Sequence, residues 1–337
     1  MAIPVAGLRA LRRIQLVVES TPGNAVTTAT ARLIGTMGMK QTQKYYRPSN
    51  LETGKLSDYE RTAIIGVMAE LPFESDANYE QLGYLLNMAV MSGITGSGPT
   101  DSQYVWTYKP NLTALNSPTT YTIQYGDDLQ AFLSAFCFAT DLEISGSIDE
   151  AVKVKASLVG DYVRTGTFTS LSNPTALNPV VVGTGKLYID SSWATLGNTE
   201  KLAGFVDFSY KITAESGTGI TPVKYANGSI YYTDRAEKKR HIELNATLAF
   251  NSNAVTLWTA YTAQTPIFIR LKFTGPLIGA TAHDELDLDG CFVIDEYSEL
   301  QDREGQDIVK LKLLSQYDIT GTSEWQIILK NALSVLP

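Results

Sequence analysis

The first half of the chain sets out an order of elements that the second half repeats. A loop (37–60 and 213–239) precedes a strand opening with Arg61 or Arg240, and each strand leads into a helix. A proline and another strand follow, Pro118 before TTYTIQY and Pro266 before IFIRLKF. Then come Cys137-Phe138 with Asp141, matched by Cys291-Phe292 with Asp295. Last come Val152-Lys153-Val154-Lys155 with Asp161, matched by Val309-Lys310-Leu311-Lys312 with Asp318. So many pairs in one order point to a duplicated plan. At roughly 100–200 residues per domain, 337 residues accommodate two copies. The boundary falls in the Ser/Asn/Pro-rich stretch 170–179. The expected domains are 1–170, with an N-terminal arm, and 171–337, with a C-terminal arm. Only the first holds the Gly/Ser/Pro-rich insertion at 93–118.

The repeated unit is mainly β. From Arg240 onward, Ile242, Leu244, Ala246, Leu248 and Phe250 alternate with His241, Glu243, Asn245 and Thr247, as a half-buried antiparallel strand requires. Ala63, Ile65, Val67, Ala69, Leu71 and Phe73 repeat that pattern. Further strands are expected at 14–19, 120–125, 142–146, 152–159, 186–189, 205–212, 267–273 and 308–314, rich in Thr, Tyr and Val. Two helices are expected. One spans 76–92, with Tyr79, Leu82, Leu86, Ala89 and Val90 on a stripe, capped by Ser75 or Asp76 and stopped by Gly93. The other spans 254–263, capped by Asn253, with Leu257, Trp258 and Tyr261 facing the core. The fold class is therefore two tandem β-sandwich or barrel domains, each flanked by a helix.

Composition removes most chemistry. The net charge is −8, so a general basic face for nucleic acid is not expected. Two cysteines are too few for a disulfide scaffold or a cysteine-based zinc site, and their matched places suggest small buried side chains. His241 and His283 are the only histidines, and no Ser/His/acid set assembles around them. No catalytic, cofactor-binding or metal residue is nominated. Glu285-Leu-Asp287-Leu-Asp289-Gly290 followed by Glu296 approaches a calcium loop, but position 1 is Glu and the leucines alternate as in a strand. Gly183-Thr-Gly185-Lys186 lacks the first glycine and the Ser/Thr of a phosphate loop. No apolar run approaches the ~18 residues of a membrane span, so no membrane partner is expected. Arg9, Arg12 and Arg13 interrupt the apolar start, so no signal peptide is expected either. Charge is concentrated. Residues 281–307 hold ten acids opposed by Arg303 alone, a local charge of −9.

The strand–helix–strand order around 61–92 and 240–273 resembles the major tail tube protein of long-tailed, non-contractile bacteriophages. So do the strand end Tyr121-Thr-Ile-Gln-Tyr-Gly-Asp127 and the run from Asp141-Leu-Glu-Ile-Ser-Gly146 into Val152-Lys-Val-Lys-Ala-Ser-Leu-Val-Gly160. The resemblance implies a small β-sandwich flanked by a helix, six of which form a ring, with rings stacked into a hollow tube. Some relatives carry two tube domains per chain and form trimeric, pseudo-hexameric rings, which the duplication here matches. Implied partners are further copies of the chain, the tape measure protein and other tail proteins. Genomic DNA would pass through without specific binding. The implied location is the virion tail, with assembly in the host cytoplasm. Candidates to face the lumen are Asp149, Glu150, Asp302 and Glu304. Candidate contacts between subunits are Arg9, Arg12, Arg13, Lys238 and Lys239. The insertion at 93–118 departs from the family pattern. Two other readings stay open: another virion or type VI-like tube component, and a carbohydrate-binding β-sandwich using Tyr104, Trp106 and Tyr108.

Overall fold

The computed structural model describes residues 7–48, 61–91, 96–174, 177–201, 205–214 and 219–336. In the first half the principal strands are β1 (Arg13–Val18), β2 (Ala63–Asp76), β3 (Tyr121–Gly126), β4 (Ala131–Ser147) and β5 (Lys153–Gly160). In the second they are β6 (Gly185–Asp190), β7 (Asp207–Thr213), β8 (His241–Ala249), β9 (Ile267–Leu277), β10 (His283–Tyr297), β11 (Gln306–Ser315) and β12 (Trp325–Asn331). The helices are α1 (Leu82–Ala89) and α2 (Ser252–Ala263).

Pairing runs β1-β3-β4-β5-β2 in the first half and β6-β9-β10-β11-β8 in the second, every neighbour antiparallel. Each long strand also slips register once against its partner, between Ser157 and Leu158 and between Ile294 and Glu296. Such a slip inserts one unpaired residue and bends the strand. That bend lets β4 and β10 each take part in two sheet regions. The two halves therefore share one order of strand pairing.

Alternation explains the layers. In β5, Val154, Ala156 and Leu158 are buried while Lys155 and Ser157 are exposed. In β7, Phe208, Tyr210 and Ile212 point inward, and in β8 Ile242 and Leu244 do the same. Most buried side chains of both halves merge into one apolar cluster, from Ile14 and Leu16 to Ile327 and Leu329, while Phe136, Phe138, Val159, Ile220 and Tyr232 form a second, smaller one. Cys137 and Cys291 lie buried and form no disulfide, and burial raises both thiols, that of Cys291 to about 11.

Several local expectations change. β2 keeps pairing with β5 out to Asp76↔Lys153, so the first helix starts at Leu82, not at 76, and Asn78 Oδ1 accepts from the Gln81 N–H at the turn. The expected stop at Gly93 lies outside the described residues. In α2 the cap is Asn251, whose side chain accepts from Asn253 N and Ala254 N. Trp258, expected in the core, is 48% exposed. The supposed loops also carry strands. Residues 36–46 pair along β2, and Ile220–Val223 pairs with Asp234–Glu237; residues 49–60 and 215–218 of those loops lie outside the described residues. Finally, Arg61 and Arg240 do not share a ladder place. Asp76 and Thr247 are the residues opposite Lys153 and Lys310, which makes Ala69 the counterpart of Arg240.

Candidate assembly surface

Two seams join the halves. In the first, β7 lies between β8 of its own half and the C-terminal part of β4, with Ser209↔Ser145, Tyr210↔Ile144 and Lys211↔Glu143. This makes one sheet in the order 36–46, β2, β5, β4, β7, β8, β11, β10. One face packs on the core. The other is polar: Glu70 and Glu74, Lys153 and Lys155, Asp141 and Glu143, Ser209 and Lys211, Glu243 and Asn245, Lys310 and Lys312, and Glu296. Lys153, Lys155, Lys211 and Lys312 face carboxylates. Lys155 lies 3.7 Å from Glu74, Lys211 3.7 Å from Asp141, and Lys312 3.6 Å from both Asp295 and Glu296. A shallow groove crosses this face in each half over equivalent strands, one between Thr36 and Lys155 and the other between Asp207 and Lys312.

The second seam is made by the insertion. Its strand Gln103–Tyr108 pairs with β12, which pairs with β10. The Asp101 carboxylate accepts from the backbone N–H groups of Ala280, Thr281 and Ala282 and from the Thr281 hydroxyl, bonds that pull its pKa down to about 2. Trp106 Nε1 donates to Asn331 Oδ1 at 3.0 Å, and Asn116 donates through its backbone N and Nδ2 to Glu237. From the other side Arg240 reaches back. Its Nη1 donates to the carbonyls of Ala89 and Val90 at 3.0 Å, at the C-terminal end of α1, while Nη2 pairs with Glu237 at 2.6 Å. A cation there meets the negative end of the helix. The insertion therefore acts as a clasp between halves. Trp106 and Tyr108 are buried in it, so they offer no aromatic platform to a sugar.

The acids of 281–307 divide by place. Glu285, Asp287 and Asp289 occupy alternate positions on one side of β10. Arg270 grips Asp289 with two bonds of 2.7 Å, joined by Gln326 at 2.9 Å. Glu285 lies between Lys272 and Lys330; burial works against its charge, but their hydrogen bonds hold its pKa low. Asp287 is buried, and its pKa is pushed up to about 6 by desolvation, against the pull of Arg270 and with Asp289 adding to the rise. The calcium-like acids are thus engaged by cations in a strand. Among the described residues no three His, Cys, Asp or Glu side chains gather as a metal set. Gly183 lies in a short turn leading into β6, and Lys186 pairs with Glu200 at 3.1 Å.

The nominated residues fall on hairpin tips and surfaces. Asp149 and Glu150 form the β4–β5 turn, where Asp149 takes a positive φ and Glu150 pairs with Lys153. Asp302 and Glu304 form the corresponding tip before β11, with Asp302 accepting from Gly305 N. These four lie at two equivalent ends of the polar sheet, not along its wall. Arg9 sits in an exposed turn, Arg12 donates to the Tyr125 hydroxyl, and Arg13 opens β1 with its guanidinium over Phe168. Lys238 and Lys239 line a groove beside 110–116 and Tyr317. The sequence reading missed Asp101 and the Arg240 clamp; neither belongs to a local motif, and only the folded chain brings their partners near.

The polar groups described here join strands and sheets in a mainly β protein with large antiparallel sheets. A family model described as phage tail tube protein matches residues 10–307, and the chain belongs to that family. It is a structural component of the bacteriophage virion, in the tail. No curated protein matches the chain.

Proposed function

We propose that three copies of the chain close into a ring of six equivalent wedges, each half of a chain being one tube domain, and that rings stack into the hollow tail. The observation that supports this most is the shared ladder order of the two halves, joined edge to edge by β4 and β7 into one polar-faced sheet. A wedge that repeats by edge pairing leaves no free edge once the circle closes. The polar sheet face is the bore wall in this reading. DNA crossing it meets lysines already facing carboxylates, which limits the phosphate contacts that would hold it. Asp149, Glu150, Asp302 and Glu304 then ring the mouths of the bore. Arg9, Arg12, Arg13, Lys238 and Lys239 are contacts between copies. The tape measure protein occupies the bore during assembly in the host cytoplasm, and DNA follows it.

Electron microscopy of the purified protein tests the reading. Threefold rings or tubes are expected. A chain that stays monomeric at high concentration, or a tube with the polar sheet facing outward, overturns it.

A further inference from the structure

Resting on the tube reading, we infer that one copy meets the next through a copy of the joint that β4 and β7 make within the chain. α2 and the outer edge of β10 form one side; the edge at 36–46 forms the other.

Both sides follow from matching ladders. Glu143 lies opposite Lys155 as Glu296 lies opposite Lys312, so β10 from Glu296 onward stands where β4 presents its edge to β7. Likewise Thr36 lies opposite Glu74 as Ser209 lies opposite Asn245, so 36–46 stands where β7 does. Among the described residues, the outer sides of 36–46 and of 293–297 pair with no strand. Carrying the internal register across places Ser298 of one copy opposite Thr36 of the next. Tyr297 then meets Met37, and Glu296 meets Gly38.

Side chains agree with that placement. α1 is buried throughout, partly by the second half's Arg240 and by the clasp, whose Tyr108 hydroxyl donates to Gly83 O. α2 has no such cover: Val255 and Trp258 stand about half exposed, with Phe250 beside its start. At the 36–46 edge, Tyr45, Tyr46, Ile64 and Ile65 are exposed in turn. Charge is complementary as well. Lys40, Lys44 and Arg47 mark one edge, and Asp295, Glu296 and Glu299 mark the other. An apolar helix face and an acidic strand edge on one copy therefore suit the apolar, basic edge of a second copy.

The test mixes two single variants, Thr36→Cys and Ser298→Cys, under conditions where microscopy shows rings or tubes, and adds a short bis-maleimide. Neighbouring residues of an antiparallel pair hold their Cβ atoms within about 4.5–5.5 Å, in reach of such a linker. A covalent dimer is expected from the mixture, at least tenfold above either variant alone and above Thr36→Cys mixed with Asp302→Cys. Trp258→Ser should keep the wild-type circular dichroism and raise the concentration needed for assembly tenfold or more. Rings without the dimer would overturn this joint and leave the tube reading standing. Wild-type assembly by Trp258→Ser would remove α2 from the joint. No rings or tubes at all would overturn both.

Discussion

α1 and α2 hold the same place in the repeated plan, yet their surroundings are opposite. All eight residues of α1 are buried, and its N-terminus has no side-chain cap bond. Of the twelve residues of α2 only Ala254 and Leu257 are buried. α2 depends on local chemistry instead. Asn251 caps one end, and Gln264 closes the other in the left-handed region at φ 50°, its N–H reaching Ala260 and Tyr261. The cause lies outside both helices. The clasp and Arg240 close the joint over α1 within one chain, and among the described residues no equivalent of either covers α2. The two halves share a ladder order, and the insertion and Arg240 bind them together only on the side of α1.

The most damaging way to break that contrast is at Arg240. Its side chain is 3% exposed, and it satisfies two helix-end carbonyls and Glu237 together. Arg240→Ala leaves a partly buried carboxylate and two carbonyls without their donor. A loss of about 3–5 kcal/mol is expected from chemical denaturation, as for broken buried pairs. Arg61→Ala is the control, because Arg61 is the sequence counterpart and is exposed. It should change stability by no more than about 0.5 kcal/mol. Equal effects would show that the second half does not hold α1 in place.

A smaller effect sharpens the comparison of β10 with β4. Counting back four residues from the matched cysteines gives Asp287 in one half and Leu133 in the other. The first half thus fills this place with an apolar side chain, the second with a buried acid whose pKa rises from 3.8 to about 6, mainly through desolvation. Because the folded pKa lies above the unfolded one, folding favours the neutral form. The penalty is absent below about pH 4, grows as pH climbs toward 6, and is complete above it. Asp287→Asn should therefore gain about 2 kcal/mol at pH 8 and nothing at pH 4. Denaturant midpoints at the two pH values decide it; a variant less stable than wild type at pH 8 would mean that the Arg270 attraction outweighs burial.

Much of this molecule was legible before folding, for a physical reason. Period-two alternation is local, so the strands at Lys153, Phe208, Ile242 and Ile267 could be read directly, and with them the mainly β class. What escaped was whatever depends on distant partners. Nothing local says that β2 runs to Asp76, because the partner that keeps it extended is Lys153. Trp258 sits on a helical stripe that looks like core, but the clasp and Arg240 that cover its counterpart helix are both directed at α1. No strand is expected within the insertion because its Gly, Ser and Pro hide the alternation of Gln103–Tyr108, whose partner β12 lies more than two hundred residues away. The acids of 281–307 looked like one field. In the fold they separate into a ladder engaged by cations and a hairpin tip, a division set by register.

The gentlest probe returns to the clasp, at Asp101. Its carboxylate sits at the surface, so water can replace it and the global unfolding midpoint should hardly move on Asp101→Ala. Locally the change should be plain. Four donors converge on it from Ala280, Thr281 and Ala282, and those bonds hold its pKa near 2, below the ordinary 3.8. For a depressed acid the contribution is fully present above the unfolded value and fades as pH falls through the folded one. Amide exchange at 280–282, corrected for intrinsic rate, should be slow above pH 4 and lose its protection toward pH 2. In Asp101→Ala it should be fast throughout, while the amides of β12 stay protected. Wild-type protection in that variant would mean that the clasp is held by the Gln103–Tyr108 ladder alone, and that only strand pairing distinguishes the closed joint from the open one.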